Sequence, residues 1–465
     1  MTSFDVIIVG SGPGGYVAAI RASQLGLKVA LVEKENLGGV CLNWGCIPTK
    51  ALLRSAEVKH LMDQAPTYGL SVERIQVHLD KIVERSRKVA HQLASGVQHL
   101  MKKNKITVFK GQGRLQKPGV LQVTESEGTI QTLTAPHIIL ATGARPRLLP
   151  DMPDNHPRVW TAKQAMTPTF LPKNLLVMGS GAIGIEFASF YQTLGSQVTV
   201  VEMQNRILPQ EDEEISTLAQ KAFTKQGMTF YLQTSVQKLT TTNDKITATM
   251  ITEGKQNLTL EADAVIVAIG IVGNTEDLGL ERTKVQVDRG QIAVDAWGAT
   301  AEPGLYAIGD VAGAPWLAHK ASHQGIACVE KIAGLPTAHP LHPENIPGCT
   351  YSLPQIASIG LTETKAKAAG HTVKVGRFPF IGNGKAIALG EPEGLIKTLF
   401  DAKTGEFLGA HMIGAEVTEL IHGFAIAKSL ETTEAELMKT IFPHPTLSEM
   451  MHESVLSAYG HALHF

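Results

Sequence analysis

Cys41-Leu-Asn-Trp-Gly-Cys46 sets two thiols five positions apart, between Gly38-Gly39-Val40 and Ile47-Pro48-Thr49-Lys50. A loop entering a helix can bring the Cα atoms of such a pair within the roughly 4.4–6.8 Å that a disulfide needs. A thiolate at a helix start also gains from the helix dipole and from any nearby cation. The spacing points to a redox-active pair. Two unrelated buried cysteines or half of a metal site are the alternatives, and no second Cys/His pair lies close enough to complete a metal site. No metal is expected at His339-x-x-His342 either, since it sits in a proline-rich stretch without acidic ligands. The remaining cysteines, Cys328 and Cys349, stand alone and read as small buried hydrophobes.

Thiol exchange needs a base that titrates near neutral pH. Among 17 histidines, His444 is the candidate, because Pro443 and Pro445 stiffen the backbone on either side of it. Glu449 follows in Thr446-x-x-Glu449, which reads as a capping box opening the last helix.

Beside these groups lie two glycine fingerprints. Gly10-Ser-Gly12-Pro-Gly-Gly15 follows the apolar run Phe4–Val9, and Gly179-Ser-Gly181-Ala-Ile-Gly184 follows Leu175–Met178. Each leads into a helical stretch, a glycine and a second strand, which ends in Glu33 or Glu202. The acid stands twenty-three positions after the first glycine in both copies (33 against 10, 202 against 179). In such a βαβ unit the first glycine permits the tight turn and the second lets the backbone approach a pyrophosphate. The third packs helix on strand, and the acid accepts from ribose hydroxyls. Two dinucleotide-binding units are predicted.

At 465 residues the chain is long enough for two to four domains. Hydrophobic residues make up 43% and charged residues 18%, an ordinary globular balance. A net charge of −1 gives no global pull toward nucleic acid or an anionic membrane. No apolar run reaches the roughly 18 residues of a membrane span. Four cysteines are too few for a secreted disulfide framework, and Met1–Asp5 shows no basic leader. A reducing compartment is expected: cytoplasmic, or the mitochondrial matrix for a processed eukaryotic form. Strands at Ile106–Val108 and Leu121–Thr124 are predicted to form a small meander around Gly111-Gln112-Gly113. Pro336–Pro347 reads as a linker, and Thr433-x-x-Glu436 as a capping box. The expected architecture is α/β, with two nested Rossmann-like dinucleotide-binding domains followed by an α+β C-terminal interface domain. The expected boundaries are 1–148, 149–270, 271–340 and 345–465.

Fingerprint, C-x₄-C, second fingerprint, Ala141-Thr142-Gly143, Thr300…Gly309-Asp310 and Phe442-Pro-His-Pro-Thr-Leu-Ser-Glu449 occur in this order. Over essentially its whole length the chain resembles the flavoprotein disulfide reductases, the family of glutathione reductase and lipoamide dehydrogenase. Its Cys-Leu-Asn-x-Gly-Cys-Ile-Pro motif and its ending are most similar to the dihydrolipoyl dehydrogenase branch. The resemblance implies that the first unit takes FAD, through Gly10, Gly12, Gly15, Glu33, Lys50, Gly113, Thr142, Gly143, Asp310 and Ala318. The second would take NAD, through Gly179, Gly181, Gly184, Glu202, Val236 and Gly270, with Glu186 matching an acid that pairs with the lysine near the flavin. It makes Cys41–Cys46 a redox disulfide, His444 the base and Glu449 the group that orients it. It also implies a homodimer serving the lipoyl domains of 2-oxo acid dehydrogenase complexes. The implied reaction reoxidises dihydrolipoyl groups and reduces NAD⁺. An NADPH-dependent glutathione-type reductase and a non-catalytic FAD/NAD-binding redox sensor are the rival readings. One departure stands out. Where the family often has Gly-Arg-x-Pro-Asn, this chain has Gly270-Ile-Val-Gly273-Asn274.

Overall fold

A computed structural model describes residues 2–150, 152–153 and 155–465. The chain divides into two compact units. The first comprises Met1–Ala51, Asp80–Arg147 and Gly270–Leu341, and the second Leu52–Leu79, Leu148–Ile269 and His342–Phe465.

In the first unit, five parallel strands run in the order Leu305–Ala307, His137–Leu140, Val6–Val9, Val29–Glu33, Thr107–Lys110. Val6–Val9 is buried throughout, which is why it reads as an unbroken apolar run: Val6 and Ile8 pack on helices through Ala18, Ala22 and Val97, and Ile7 and Val9 pack on the strand residues Leu115, Leu121 and Val123. The fingerprint helix Pro13–Gln24 packs on helix Ala318–Ile332. A Cβ on Gly325 would lie 2.7 Å from the Gly14 carbonyl oxygen, so only glycine permits that approach. A smaller sheet of Gln112–Lys117, Val120–Thr124 and Ile130–Thr134 is antiparallel, with Thr2–Ser3 on its edge. The Thr107–Lys110 strand belongs to the parallel sheet and not to this meander, because Ala30–Glu33 pairs with it.

The second unit repeats the arrangement. Its parallel sheet has the order Val159–Trp160, Ala264–Val267, Asn174–Met178, Gln197–Val201, Thr229–Tyr231. A three-stranded antiparallel sheet, Thr234–Thr241, Ile246–Thr252 and Asn257–Ala262, follows it. The C-terminal part is a five-stranded antiparallel sheet in the order Gly348–Thr350, Gln355–Gly360, Phe407–Gly414, Leu395–Asp401, Val373–Pro379. Helices Val417–Ser429 and Glu449–Ala458 share a core with it around Phe378, Phe400, Phe407 and Phe424.

The nucleotide part and the C-terminal sheet of this unit are joined through Lys397. Its Nζ lies 2.8 Å from Asp212, 3.1 Å from Glu214 and 2.8 Å from Glu363, with 3% of the lysine side chain exposed. Asp212 also caps helix Glu213–Lys225 by accepting from the Glu214 N–H. Among the described residues no helix is long and apolar enough to cross a membrane.

Candidate active site

The two fingerprints fold alike. Gly10 and Gly179 have φ of +101° and +95°, and a Cβ on either would fall 2.2 or 2.3 Å from a carbonyl oxygen (Ala141 or Ala268). A Cβ on Gly15 or Gly184 would sit 1.9 or 2.1 Å from the first glycine's oxygen. Around the middle glycines, Gly12 and Gly181, nothing lies within 4 Å of where a Cβ would be. Each is the N-cap of its helix, with no side-chain hydrogen bond to the cap. An open cradle at a helix N-terminus suits a pyrophosphate, so both fit the dinucleotides that the resemblance assigns.

Each acid is fixed by a serine that sequence reasoning passed over. Ser11 donates to Glu33 Oε2 from its N–H at 2.9 Å and its Oγ at 2.6 Å; Ser180 does the same to Glu202 at 2.9 and 2.7 Å. The other carboxylate oxygen accepts from the N–H two residues on, Glu35 or Gln204, at 2.8 Å. Three acceptor sites of each carboxylate are thereby used and lone pairs remain for ribose hydroxyls. The signal was present as Gly-Ser-Gly in both copies. Nearby, Arg206 donates to Glu213 at 2.7 Å and to the Pro209 carbonyl at 3.2 Å.

In the first unit the residues after Glu33 turn back on the fingerprint. Gly38 N–H donates to the Ser11 carbonyl at 3.0 Å, and a Cβ on Gly39 would come within 2.7 Å of Gly12 Cα. The cysteine loop is thus laid directly on the pyrophosphate cradle. Cys41 lies in helix Gly39–Trp44 and Cys46 is the first residue of helix Cys46–Asp63. The two thiols hydrogen-bond to one another. That bond, burial and the neighbouring Cys46 sulfur all push the Cys41 thiol far up, with Lys50 pulling it down. Cys41 therefore keeps its proton, and Cys46 stands at a helix start, where a thiolate is favoured. Tyr16 faces the pair; burial, then Cys41, pushes its phenol up.

Asp310 stands in the 3₁₀ turn Gly309–Ala312, just before Ala318 opens its helix. Burial pushes its carboxyl up, against the pull of Lys320. Lys320 itself donates to the carbonyls of Gly309 and Gly313 at 3.1 and 2.7 Å. Gly113 is packed tightly, since a Cβ would meet Val9 at 3.2 Å. Thr142 and Gly143 are tied to the variant loop: Thr142 Oγ1 donates to the Asn274 carbonyl at 2.8 Å, Asn274 Nδ2 to the Thr142 carbonyl at 2.9 Å, and Asn274 N–H to the Gly143 carbonyl at 2.9 Å. Strand Ile271–Gly273 pairs with Ala144–Pro146, and Arg145 reaches the Gly273 carbonyl and forks onto Glu276. An arginine does attend this loop, but from the opposite strand. Gly270 accepts from Arg147 N–H at 2.9 Å.

In the second unit Glu186 is buried in the fingerprint helix and accepts from Tyr351 N–H at 3.0 Å. Val236 lies at a register shift in strand Thr234–Thr241. His444 is 79% exposed, and its Nδ1 is 2.9 Å from Glu449 Oε1. Glu449 Oε2 accepts from Thr446 N–H at 2.8 Å. Burial opposes its ionisation, yet the Thr446 N–H and His444 hold the Glu449 carboxyl below its usual range. The predicted capping box is corrected. The N-cap is Ser448, the helix starts at Glu449, and Thr446 Oγ1 turns to the Pro443 carbonyl at 2.7 Å. What remains is a shared carboxylate that braces the loop and fixes the imidazole, leaving Nε2 for proton transfer.

Residues 4–325 match the pyridine nucleotide-disulphide oxidoreductase family, and residues 346–455 its dimerisation domain. The chain belongs to this family. Within it, the chain is 57% identical over 463 residues to a dihydrolipoyl dehydrogenase of Zymomonas mobilis, covering 99% of each, and 55% identical to one of Rhizobium etli, again covering 99% of each. Among solved structures it is similar to LpdA from Mycobacterium tuberculosis (28% identity, TM-score 0.90, covering 98% of this chain and 99% of that one). It also resembles the HOCl-induced flavoprotein disulfide reductase RclA from Escherichia coli (25% identity, TM-score 0.87, with the same coverage).

Proposed function

We propose that this chain oxidises dihydrolipoyl groups with NAD⁺, working as a homodimer on the lipoyl domains of 2-oxo acid dehydrogenase complexes in a reducing compartment. The observation that carries the reading is the hydrogen-bonded Cys41–Cys46 thiol pair laid on the first cradle, in a chain whose second unit repeats that cradle. Gly10, Gly12, Gly15, Glu33 and Ser11 would hold the FAD pyrophosphate and ribose, with Lys50, Thr142, Gly143, Asp310 and Ala318 along the rest of the molecule. Gly179, Gly181, Gly184 and Glu202 would hold NAD⁺, with Glu186 in the same fingerprint helix.

His444 Nε2 takes a proton from the dihydrolipoyl dithiol while Glu449 steadies the imidazolium. The thiolate attacks Cys41 Sγ of the oxidised pair, the Cys41–Cys46 bond breaks, and Cys46 leaves as a thiolate. The second lipoyl sulfur then attacks the sulfur joined to Cys41; Cys41 leaves and takes that thiol's proton, oxidised lipoyl departs, and the pair is left as the Cys41 thiol and the Cys46 thiolate with one proton on His444. Bound FAD supplies the route by which that electron pair reaches NAD⁺. His444 would serve the cysteine pair of the partner subunit, as the family's dimerisation domain suggests.

A steady-state assay of the FAD-loaded protein decides the substrate. NADH formation from dihydrolipoamide and NAD⁺ is expected. Turnover of glutathione disulfide with NADPH, or of neither pair, would sink the proposal. For the shared site, the purified heterodimer of Cys41→Ser and His444→Gln chains should keep roughly half of wild-type activity, because both lesions fall in one site.

A further inference from the structure

Three consecutive residues of helix Leu79–Lys103 hold the backbone on both sides of Cys46. Arg87 donates to the Asn43 carbonyl, Ser86 Oγ to the Pro48 carbonyl at 3.0 Å, and Arg85 to the Ala51 carbonyl at 2.8 Å. Arg87 also lies over the Trp44 ring, 4.2 Å from its centroid. Its Nη1 is buried without a hydrogen-bond partner, and no carboxylate pairs with it among the described residues.

The Asn43 carbonyl is not an arbitrary acceptor. Helix Gly39–Trp44 ends two residues before Cys46, so its last carbonyls lack intrahelical donors and form a negative helix end next to the start of the Cys46 helix. Helix Cys46–Asp63 presents its positive end at Cys46. Unopposed, the first would cancel the second. We propose that Arg87 is a positioning residue of the redox pair: it closes the negative end of the Cys41 helix and biases the reduced pair toward its thiolate. Burial bears on the guanidinium too, lowering its own hold on the proton, as expected for a cation without a counter-ion. Among the described residues, the other titratable groups acting on the pair are Tyr16 from helix Pro13–Gln24 and Lys50 from the Cys46 helix.

The inference rests on the FAD assignment above but not on the identity of the substrate. FAD-loaded Arg87→Gln and Arg87→Lys enzymes are reduced anaerobically by two electrons with dithionite. The thiolate-to-flavin charge-transfer absorbance is then followed against pH. In Arg87→Gln the midpoint at which the band appears should rise by about one pH unit, the size of one helix-end charge effect. Arg87→Lys, which keeps the charge, should stay near wild type. A wild-type midpoint in Arg87→Gln would overturn the proposal. If that variant does not retain FAD, Arg87→Lys decides alone: a wild-type midpoint supports the role, and an upward shift despite the retained charge overturns it. Because dithionite supplies the electrons, failure of the dihydrolipoyl reading would show in the turnover assay and leave this titration untouched.

Discussion

The two dinucleotide units agree down to single hydrogen bonds and differ in the segment that comes after the acid. In both, a backbone N–H from the next loop returns to the fingerprint serine carbonyl at 3.0 Å, from Gly38 to Ser11 and from Leu208 to Ser180. After that point the first copy continues through Gly39 onto Gly12 and into the cysteine pair. The second continues to Asp212 and the buried Lys397. One fold therefore carries electron chemistry in one copy and structural anchoring in the other, and function resides in the grafted loop.

Perturbations should separate the copies accordingly. The largest effect is expected at the first graft: Cys41→Ser or Cys46→Ser should cut dihydrolipoamide turnover by at least about 10⁴-fold. NAD⁺ binding, measured by calorimetry, should be unchanged. Next comes the base. His444→Gln should cost about 10²–10⁴-fold in kcat, and Glu449→Gln less, since the imidazole survives. The Glu449→Gln loss should shrink below the pH at which wild-type Glu449 protonates, since the wild type then lacks the same carboxylate.

The second graft answers to stability and not to catalysis. Lys397→Met strips the counter-ion from three carboxylates and should cost about 3–5 kcal/mol, read as a lower Tm with the FAD absorbance of the native protein intact. Burial works against the ionised Asp212 and Glu214, yet Lys397, with Arg377 at Glu214, holds both below their usual range; Lys367 and Lys397 do the same for Glu363. Carboxyls lowered on folding stabilise above their unfolded pKa of about 4. Wild-type stability should thus fall as pH drops through about 4, and Lys397→Met should flatten that slope. The smallest effect belongs to the second acid. Glu202→Gln should raise the KM for NAD⁺ by roughly tenfold, the worth of one charged hydrogen bond, and narrow the preference over NADP⁺.

The motifs that local spacing defines were readable in the chain: glycines and acids at equal distances, cysteines five apart, a histidine between prolines. Features set by distant partners were not. Lys397 sits in the strand Leu395–Asp401 and looks like a solvent-facing lysine, because its partner Asp212 is 185 positions away. Arg145 could not be matched to the Gly270–Asn274 loop, since only the antiparallel pairing brings them together. The Thr446–Glu449 pattern misled for the opposite reason. The local signal was right about a bond, but His444 competes for the same carboxylate and the helix begins later.

Under the proposed function two equal cradles hold different cofactors, FAD in the first and NAD⁺ in the second. Gly12 and Gly181 have ordinary φ values of −62° and −68° and open space where a side chain would go, so valine at either fills the cradle without disturbing the fold. Flavin absorbance of purified Gly12→Val and Gly181→Val proteins is the direct measurement. Gly12→Val should emerge without flavin, whereas Gly181→Val should keep it, take electrons from dihydrolipoamide and fail to pass them to NAD⁺. Flavin lost from Gly181→Val and retained by Gly12→Val would contradict the assignment.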